Sequence, residues 1–216
     1  MAPPDFKSSL PPAPPSSPPP SSDFDSSAAP PDDSCPFCKI SSTYDPYPPS
    51  SPPPATSPIV SPELTSPSPS TFLVLSTPLL IAFLDILPLS PGHLLLCPRR
   101  HAPKLTSATA EESAALGVYL RILSAALVRV TGIKDWNVVQ NNGAAAAQVV
   151  PHMHFHIIPR PDLRGGRRER FTSTMFGRGQ REELDEDEGG ELAEGVRRAV
   201  GDILREEEEA KRKGKL

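Results

Sequence analysis

The sequence predicts an α+β fold: a five-stranded antiparallel sheet with one long helix, a second helix at the C-terminus and a disordered Pro/Ser-rich N-terminal region. Three observations predict it. Twenty-two of the 30 prolines of this 216-residue chain, with eighteen serines, fall in residues 1–70, a stretch too poor in apolar residues to offset the entropy of ordering it. From Thr71 onward, short apolar runs bounded by turn signals are interrupted once by a long helical pattern, the order expected of an antiparallel sheet with a helix on one face. All five histidines lie within the 64 residues from His93 to His156. The expected organisation is an arm over 1–33, a domain over 34–165 with a disordered insertion at 41–70, and a charged extension over 166–216.

Phe72 to Leu75 and Leu79 to Asp85 read as a hairpin of two buried strands around the turn Ser76-Thr77-Pro78, and Pro91-Gly92 turns into a third strand, His93 to Cys97. Thr109-x-x-Glu112 is a capping box, and Leu116, Leu120, Leu123, Leu127 and Val130 recur at helical steps, so residues 110–131 form an amphipathic helix that Gly132 ends. Trp136 to Gln140 is the fourth strand. The fifth begins near Val149, and period two places His152, His154 and His156 on one face, with Met153, Phe155 and Ile157 on the other. Leu192, Val196, Val200, Ile203 and Leu204 predict a helix at about 191–212 that covers an edge of the domain. Lys211-Arg212-Lys213 reads as its solvated end.

Net charge is −4 overall but −5, +3 and −2 over residues 1–70, 71–160 and 161–216. The mildly basic middle suits a small anionic ligand such as a nucleotide and lacks the basic face of a dedicated nucleic-acid binder. The N-terminus has no apolar signal region and no run of about 18 apolar residues occurs, so the expectation is a soluble protein of the cytoplasm, the nucleus or both, without a membrane partner. Three cysteines in such a chain, two spaced as Cys35-Pro-Phe-Cys38, point to metal binding rather than a disulfide framework.

Three histidines on one strand face bring donors and acceptors that cannot all be satisfied in a core. Two chemistries compete for them: a metal site, or a nucleophilic imidazole held by its neighbours. Asn141-x-Gly143, four alanines and Gln148 form a loop with little side-chain bulk, where backbone N–H groups can approach an anion. Asp85, ending an apolar strand, either accepts from sugar hydroxyls or caps a loop.

At this point the residues resemble a known family. Gln148-Val-Val-Pro-His152-Met-His154-Phe-His156-Ile-Ile-Pro-Arg is similar to the signature of the histidine-triad (HIT) nucleotide hydrolases and transferases. Ala82-Phe-Leu-Asp85-Ile, Pro91-Gly-His93 through His101, and Asn141-Asn-Gly143 resemble the family's other blocks in order. The Cys35-Pro-Phe-Cys38 start resembles the zinc-carrying Hint-like branch, in a variant that looks fungal. The resemblance implies His154 as nucleophile on the α-phosphorus of a nucleotide, through a nucleotidyl-histidine intermediate. It also implies His156 and His93 in the phosphate site, Asn141, Gly143 and Gln148 on phosphate, Asp85 on the ribose, and the purine against Phe83 and Ile86. Cys35, Cys38, His101 and His152 would hold a structural zinc ion, and the chain would form a homodimer. The implied substrate is a purine nucleoside phosphoramidate such as adenosine 5′-monophosphoramidate.

Two rivals remain. A dinucleoside polyphosphate hydrolase shares the triad and differs in its leaving group. A non-catalytic nucleotide-binding module could use the Pro/Ser arm to recruit proline-recognition domains. The third histidine, His156, argues against a uridylyltransferase, which has glutamine there. No cysteine follows Cys97, which argues against a DNA-end deadenylase with a downstream zinc finger. Two departures matter. Val149 stands where many phosphoramidate-cleaving relatives have a proton-donating serine. Ala146 and Ala147 replace glycines and are expected to avoid positive φ.

Overall fold

The computed structural model describes residues 35–66, 70–161 and 181–214. The arm expected over 1–33, and residues 166–180 of the extension, lie outside the described residues. Strands β1 (Leu73–Ser76), β2 (Leu80–Leu84), β3 (Leu94–Pro98), β4 (Trp136–Gln140) and β5 (Phe155–Pro159) form one antiparallel sheet in the order β1-β2-β3-β5-β4. The α-helices among the described residues are α1 (Pro36–Thr43), α2 (Ala110–Thr131) and α3 (Glu186–Lys213).

Each strand forms where the reading placed it, except that β5 begins at Phe155 and not near Val149. The preceding residues are drawn off the ladder: Met153 N–H donates to Ala102 O at 2.6 Å and Gln148 Nε2 to Pro103 O at 2.8 Å. The two-residue alternation still holds through this stretch. Met153 and Ile157 are buried in the core on one side, while His154 and His156 line a cavity on the other.

The sheet is covered on both faces, which departs from the single helix layer expected. Leu80, Ala82, Leu84, Leu94 and Leu96 pack against Leu116, Ile122, Leu123 and Leu127 of α2 and against Ala193, Val196, Val200 and Ile203 of α3. Ile81, Phe83, Leu95 and Cys97, pointing the other way, pack against Phe37, Cys38 and Ile40 of α1 and against Tyr44, Tyr47 and Val60. Burial on both faces explains why β2 and β3 read as continuous apolar runs rather than alternating ones. By length and apolar content α2 could cross a bilayer, but the side chains just named commit one face of it to the core.

Local chemistry sets the ends of α2. The Thr109 side chain accepts the Glu112 N–H, the Glu112 carboxylate accepts the Thr109 N–H, and Gly132 at φ 70° closes the C-terminus. Helix α3 starts at Glu186, earlier than expected, because Asp185 caps Asp187 N–H and Glu188 N–H. Acidic residues in a first turn also favour the helix dipole. It lies beside α2 on the sheet face instead of over an edge: Arg129 pairs with Glu206 at 2.9 Å, and buried Arg197 donates to Leu73 O.

The disordered insertion expected at 41–70 is corrected for residues 41–66, which follow a defined path; 67–69 lie outside the described residues. Tyr44 is fully buried and its hydroxyl donates to Ser61 O at 2.9 Å. Tyr47 N–H donates to Ser76 O at 3.0 Å and its hydroxyl to Val74 O at 3.0 Å, so the segment pairs with the outer edge of β1. Arg205 of α3 donates to Ser50 O, and Gly201 lies so close to Pro52 that a Cβ would sit 2.8 Å from its ring. A few buried aromatic and aliphatic anchors, each contributing about 1.5–3 kcal/mol, order a run that is otherwise proline and serine.

Candidate active site and metal centre

Four consecutive residues at the end of β3 organise the site. Pro98 O accepts from His152 Nε2 at 2.8 Å. Arg99 donates to Ser41 O at 2.9 Å and to Tyr44 O, satisfying carbonyls at the C-terminal end of α1. Arg100 grips Glu112 through two bonds of 3.0 and 2.7 Å. Burial alone would push the Glu112 carboxyl up, but the Arg100 and Thr109 hydrogen bonds outweigh it and leave its pKa lowered. His101 then faces α1, with Nδ1 3.2 Å from Cys38 Sγ.

Across from it, His152 Nδ1 lies 3.5 Å from Cys35 Sγ and 3.6 Å from Cys38 Sγ. The four ligand atoms all fall within 4.8 Å of one another. Zn–S and Zn–N bonds of about 2.3 and 2.0–2.1 Å at tetrahedral angles put sulfur and nitrogen roughly 3.5 Å apart, so this set fits a tetrahedral divalent metal. The Pro98 carbonyl accepts the hydrogen bond from His152 Nε2–H and leaves the Nδ1 lone pair facing the thiols, the outer-shell arrangement that metal-binding imidazoles use. These residues can hold a metal, and it would pin α1 to the sheet.

A cavity of about 790 Å³ opens beside this centre, between α1, the loop after β2 and the β4–β5 connection. His154 stands in its wall, 6% exposed, with Nδ1 2.7 Å from the backbone oxygen of His152. A carbonyl can only accept, so the proton is on Nδ1 and the Nε2 lone pair is free for chemistry. Burial holds the His154 pKa below its ordinary value, which keeps the ring neutral. The edge of Phe37 from α1 packs on the His154 ring with centroids 5.1 Å apart, and on His152 at 5.8 Å. The metal centre and the free imidazole thus share one aromatic buttress.

His156 lies 4.8 Å from His154, centroid to centroid, and its Nδ1 is 2.9 Å from Nε2 of His93. Burial lowers the pKa of His156 to about 4 and that of His93 to about 2. With His93 neutral, the 3.3 Å approach of Asp85 Oδ2 to its Nδ1 is not an ion pair. Asp85 Oδ1 accepts the Leu87 N–H at 2.9 Å, and burial raises its pKa. It sits in the cavity wall with Phe83 and Ile86, and Asn141 joins them from the end of β4.

Gly143 and Gln148 are placed differently from the expectation. Gly143 N–H donates to Gln148 Oε1 at 2.6 Å, and Gln148 Nε2 donates to Pro103 O and Val150 O at 2.8 and 3.0 Å. The amide and the backbone N–H expected on phosphate are therefore occupied in bracing their own loop. Ala147 departs as well. Its φ is 62°, in the left-handed region, and it is the one non-glycine residue with positive φ among the described residues.

Phe37, Ile40, Arg160 and Arg181 also line the cavity, and sequence reasoning did not name them. The signal for Arg160 was present, since it continues the alternation His156, Ile158, Arg160. Phe37 and Ile40 were findable once the Cys35–Cys38 pair is tied to His101 and His152, because that tie lays α1 over the histidine face. For Arg181, beyond the strand pattern, no signal exists.

Comparison with known proteins bears on this arrangement. The model of the HIT domain matches residues 67–163. The adenosine 5′-monophosphoramidase hnt1 of Schizosaccharomyces pombe is 43% identical over 86 residues, 40% of this chain and 62% of the relative. The chain thus spans less than two thirds of that relative's length. An uncharacterized HIT-like protein of Synechocystis is 39% identical over 87 residues, 40% of this chain and 75% of the relative. The crystal structure of a zinc-bound histidine triad family protein from Mycobacterium smegmatis shares the fold, with a TM-score of 0.52 and 24% identity over 80% of this chain and 96% of the other. With its three histidines set in that fold and a close match across most of a relative's length, the chain belongs to the histidine-triad family.

Proposed function

We propose that this protein is a nucleotide hydrolase that works through a nucleotidyl-histidine intermediate on His154, and that its substrate is a purine nucleoside phosphoramidate such as adenosine 5′-monophosphoramidate. The observation that carries the reading is the bond from His154 Nδ1 to His152 O at 2.7 Å, which leaves Nε2 as a neutral nucleophile in the cavity. Nε2 attacks the α-phosphorus, the P–N bond breaks, and the amine leaves with a proton from solvent. Water then hydrolyses the phosphohistidine and releases the nucleoside monophosphate. Asp85 accepts from the ribose hydroxyls, and the purine lies against Phe83 and Ile86, which line the cavity together with Phe37 and Ile40 of α1.

The metal in this reading is zinc, held by Cys35, Cys38, His101 and His152, a set of two thiolates and two imidazoles with a structural role. The chain acts as a homodimer joined through β4, an edge strand that exposes Trp136, Val138 and Val139, the first two beside Leu120 of α2. It works in the cytoplasm or nucleus, and any partners of the arm are proline-recognition domains, which a pull-down with residues 1–33 would return.

Turnover of adenosine 5′-monophosphoramidate by the wild type and by His154→Ala, with diadenosine polyphosphates as comparators, tests the reading. Loss of several orders of magnitude in the variant supports it. Faster cleavage of the polyphosphates favours a second reading, for which Val149 speaks: it is 91% exposed, lines the cavity and has no proton to give, which suits a phosphate leaving group that needs none. Inactivity on every substrate with retained AMP binding would leave a binding module.

A further inference from the structure

We propose that His93 is a positioning residue, not a phosphate contact, and that the backbone amide of Leu89 acts through it to fix the proton of His156 on the ring nitrogen turned away from His93. The proposal deepens the reading above and rests on it for the chemistry, but the proton positions can be tested without it. His93 lies in the cavity wall behind His156 but is only 1% exposed, and both of its ring nitrogens are engaged by the protein. Its Nδ1 accepts the Leu89 N–H at 3.2 Å, and its Nε2 is 2.9 Å from His156 Nδ1.

A neutral imidazole has one N–H and one lone pair. Because the Leu89 amide can only donate, the lone pair of His93 is on Nδ1 and its proton on Nε2. That proton points at Nδ1 of His156, which must therefore accept. His156 is left with its own proton on Nε2. Two neutral imidazoles then stand 4.8 Å apart with opposite protonation: His154 offers a lone pair and His156 a donor. A fixed neutral donor beside a nucleophile stabilises charge developing on a phosphoryl oxygen without reorganising.

The loop that carries Leu89 is built to hold that amide still. His93 N–H donates back to Ser90 O at 3.1 Å, and the Ser90 hydroxyl donates to Pro159 O at 2.6 Å, tying the loop to the end of β5. Gly92 permits the turn at φ 86°, and a Cβ there would meet Leu127 at 2.9 Å. The rival arrangement is also visible, since Asp85 Oδ2 lies 3.3 Å from the same His93 nitrogen. A proton on Nδ1 shared with Asp85 would reverse the chain. His93 Nε2 would accept, His156 would carry its proton on Nδ1, and a lone pair would face the phosphate.

Long-range ¹H–¹⁵N correlation spectra of the full chain labelled with ¹⁵N-histidine read these tautomers directly. The expected result is the Nε2–H form for His93 and His156 and the Nδ1–H form for His154, with His93→Phe erasing the exclusive Nε2–H pattern of His156. A proton on Nδ1 of His93 or of His156 in the wild type overturns the proposal, whether or not any variant folds and whether or not a phosphoramidate is cleaved. In turnover, His93→Phe lowers kcat by about 10- to 100-fold. It changes the Kd for AMP by less than about threefold, and His93→Gln, whose amide can donate from the same place, recovers much of kcat. A fall in AMP affinity that matches the fall in kcat would make His93 a phosphate contact and refute the assignment.

Discussion

Replacing Ala147 by glycine should stabilise the protein, and the backbone allows the size of the gain to be worked out. Ala147 sits at φ 62°, ψ 27° at the end of the short 3₁₀ turn Ala144–Ala146. A left-handed conformation costs an L-residue roughly 1–2 kcal/mol through the clash of Cβ with the next carbonyl. Glycine escapes that strain but gives the unfolded chain about 0.4–1 kcal/mol more freedom to lose. Ala147 is exposed, so its methyl buries nothing that would be forfeited. The balance is a gain of about 0.5–1 kcal/mol, or about 1–4 °C in Tm for a domain of this size. The neighbour Ala146 provides the control, because it belongs to the turn and its φ is not positive. Ala146→Gly should lose roughly 0.5–1 kcal/mol. Urea unfolding at constant m-value measures both. If the two substitutions shift the midpoint in the same direction, Ala147 is not strained and the reasoning fails.

Three further outcomes are expected. A strong chelator, or Cys38→Ser, should lower the melting temperature and detach α1 from the sheet, read as loss of protection of the Phe37–Ile40 amides in hydrogen exchange; a full-length protein that contains no metal by elemental analysis would refute the metal centre. Acid should destabilise the fold through its buried histidines. His93 and His156 have folded pKa values of about 2 and 4, below the ordinary 6.5, and burial lowers that of His154 as well, so the unfolded chain binds more protons and stability falls as the pH drops from about 6.5 toward 4, with uptake of at least about two protons on unfolding near pH 5. Stability that stays flat over that window would mean these rings are not buried neutral. Trp136→Glu should convert a dimer to monomer in light scattering while the far-ultraviolet circular dichroism is retained; a variant that remains dimeric would place the interface elsewhere.

What could be read in advance is what local chemistry determines. Both ends of α2 follow from side chains within one turn, Thr109 with Glu112 and the glycine after Thr131. The facing of the histidines survived even though β5 starts later than expected, because extended backbone alternates with or without ladder bonds. The order of residues 41–66 was not legible, since it comes from contacts distant in sequence: Tyr47 on β1, Arg99 on the end of α1, Arg205 on Ser50. A proline-rich run carries no periodicity to announce such docking. Gln148 illustrates a different limit. An amide beside a glycine-containing loop can serve a ligand or the loop itself, and only the position of Pro103 and Val150 decides it for the loop.

The two edges of the sheet are unequal, and this limits how copies of the chain can associate. Along β1, the backbone groups of Leu73, Val74 and Ser76 are taken by Arg197 and Tyr47, so no foreign strand can add there. Along the outer side of β4 no strand pairs among the described residues. An object with one sticky edge can pair once, about a two-fold axis, and is then finished; an object with two can polymerise. The segment that carries Tyr44 and Tyr47 therefore does more than fill space beside β1. It makes any growth through strand addition self-terminating, and losing it would turn a closed pair into the repeating unit of a fibre.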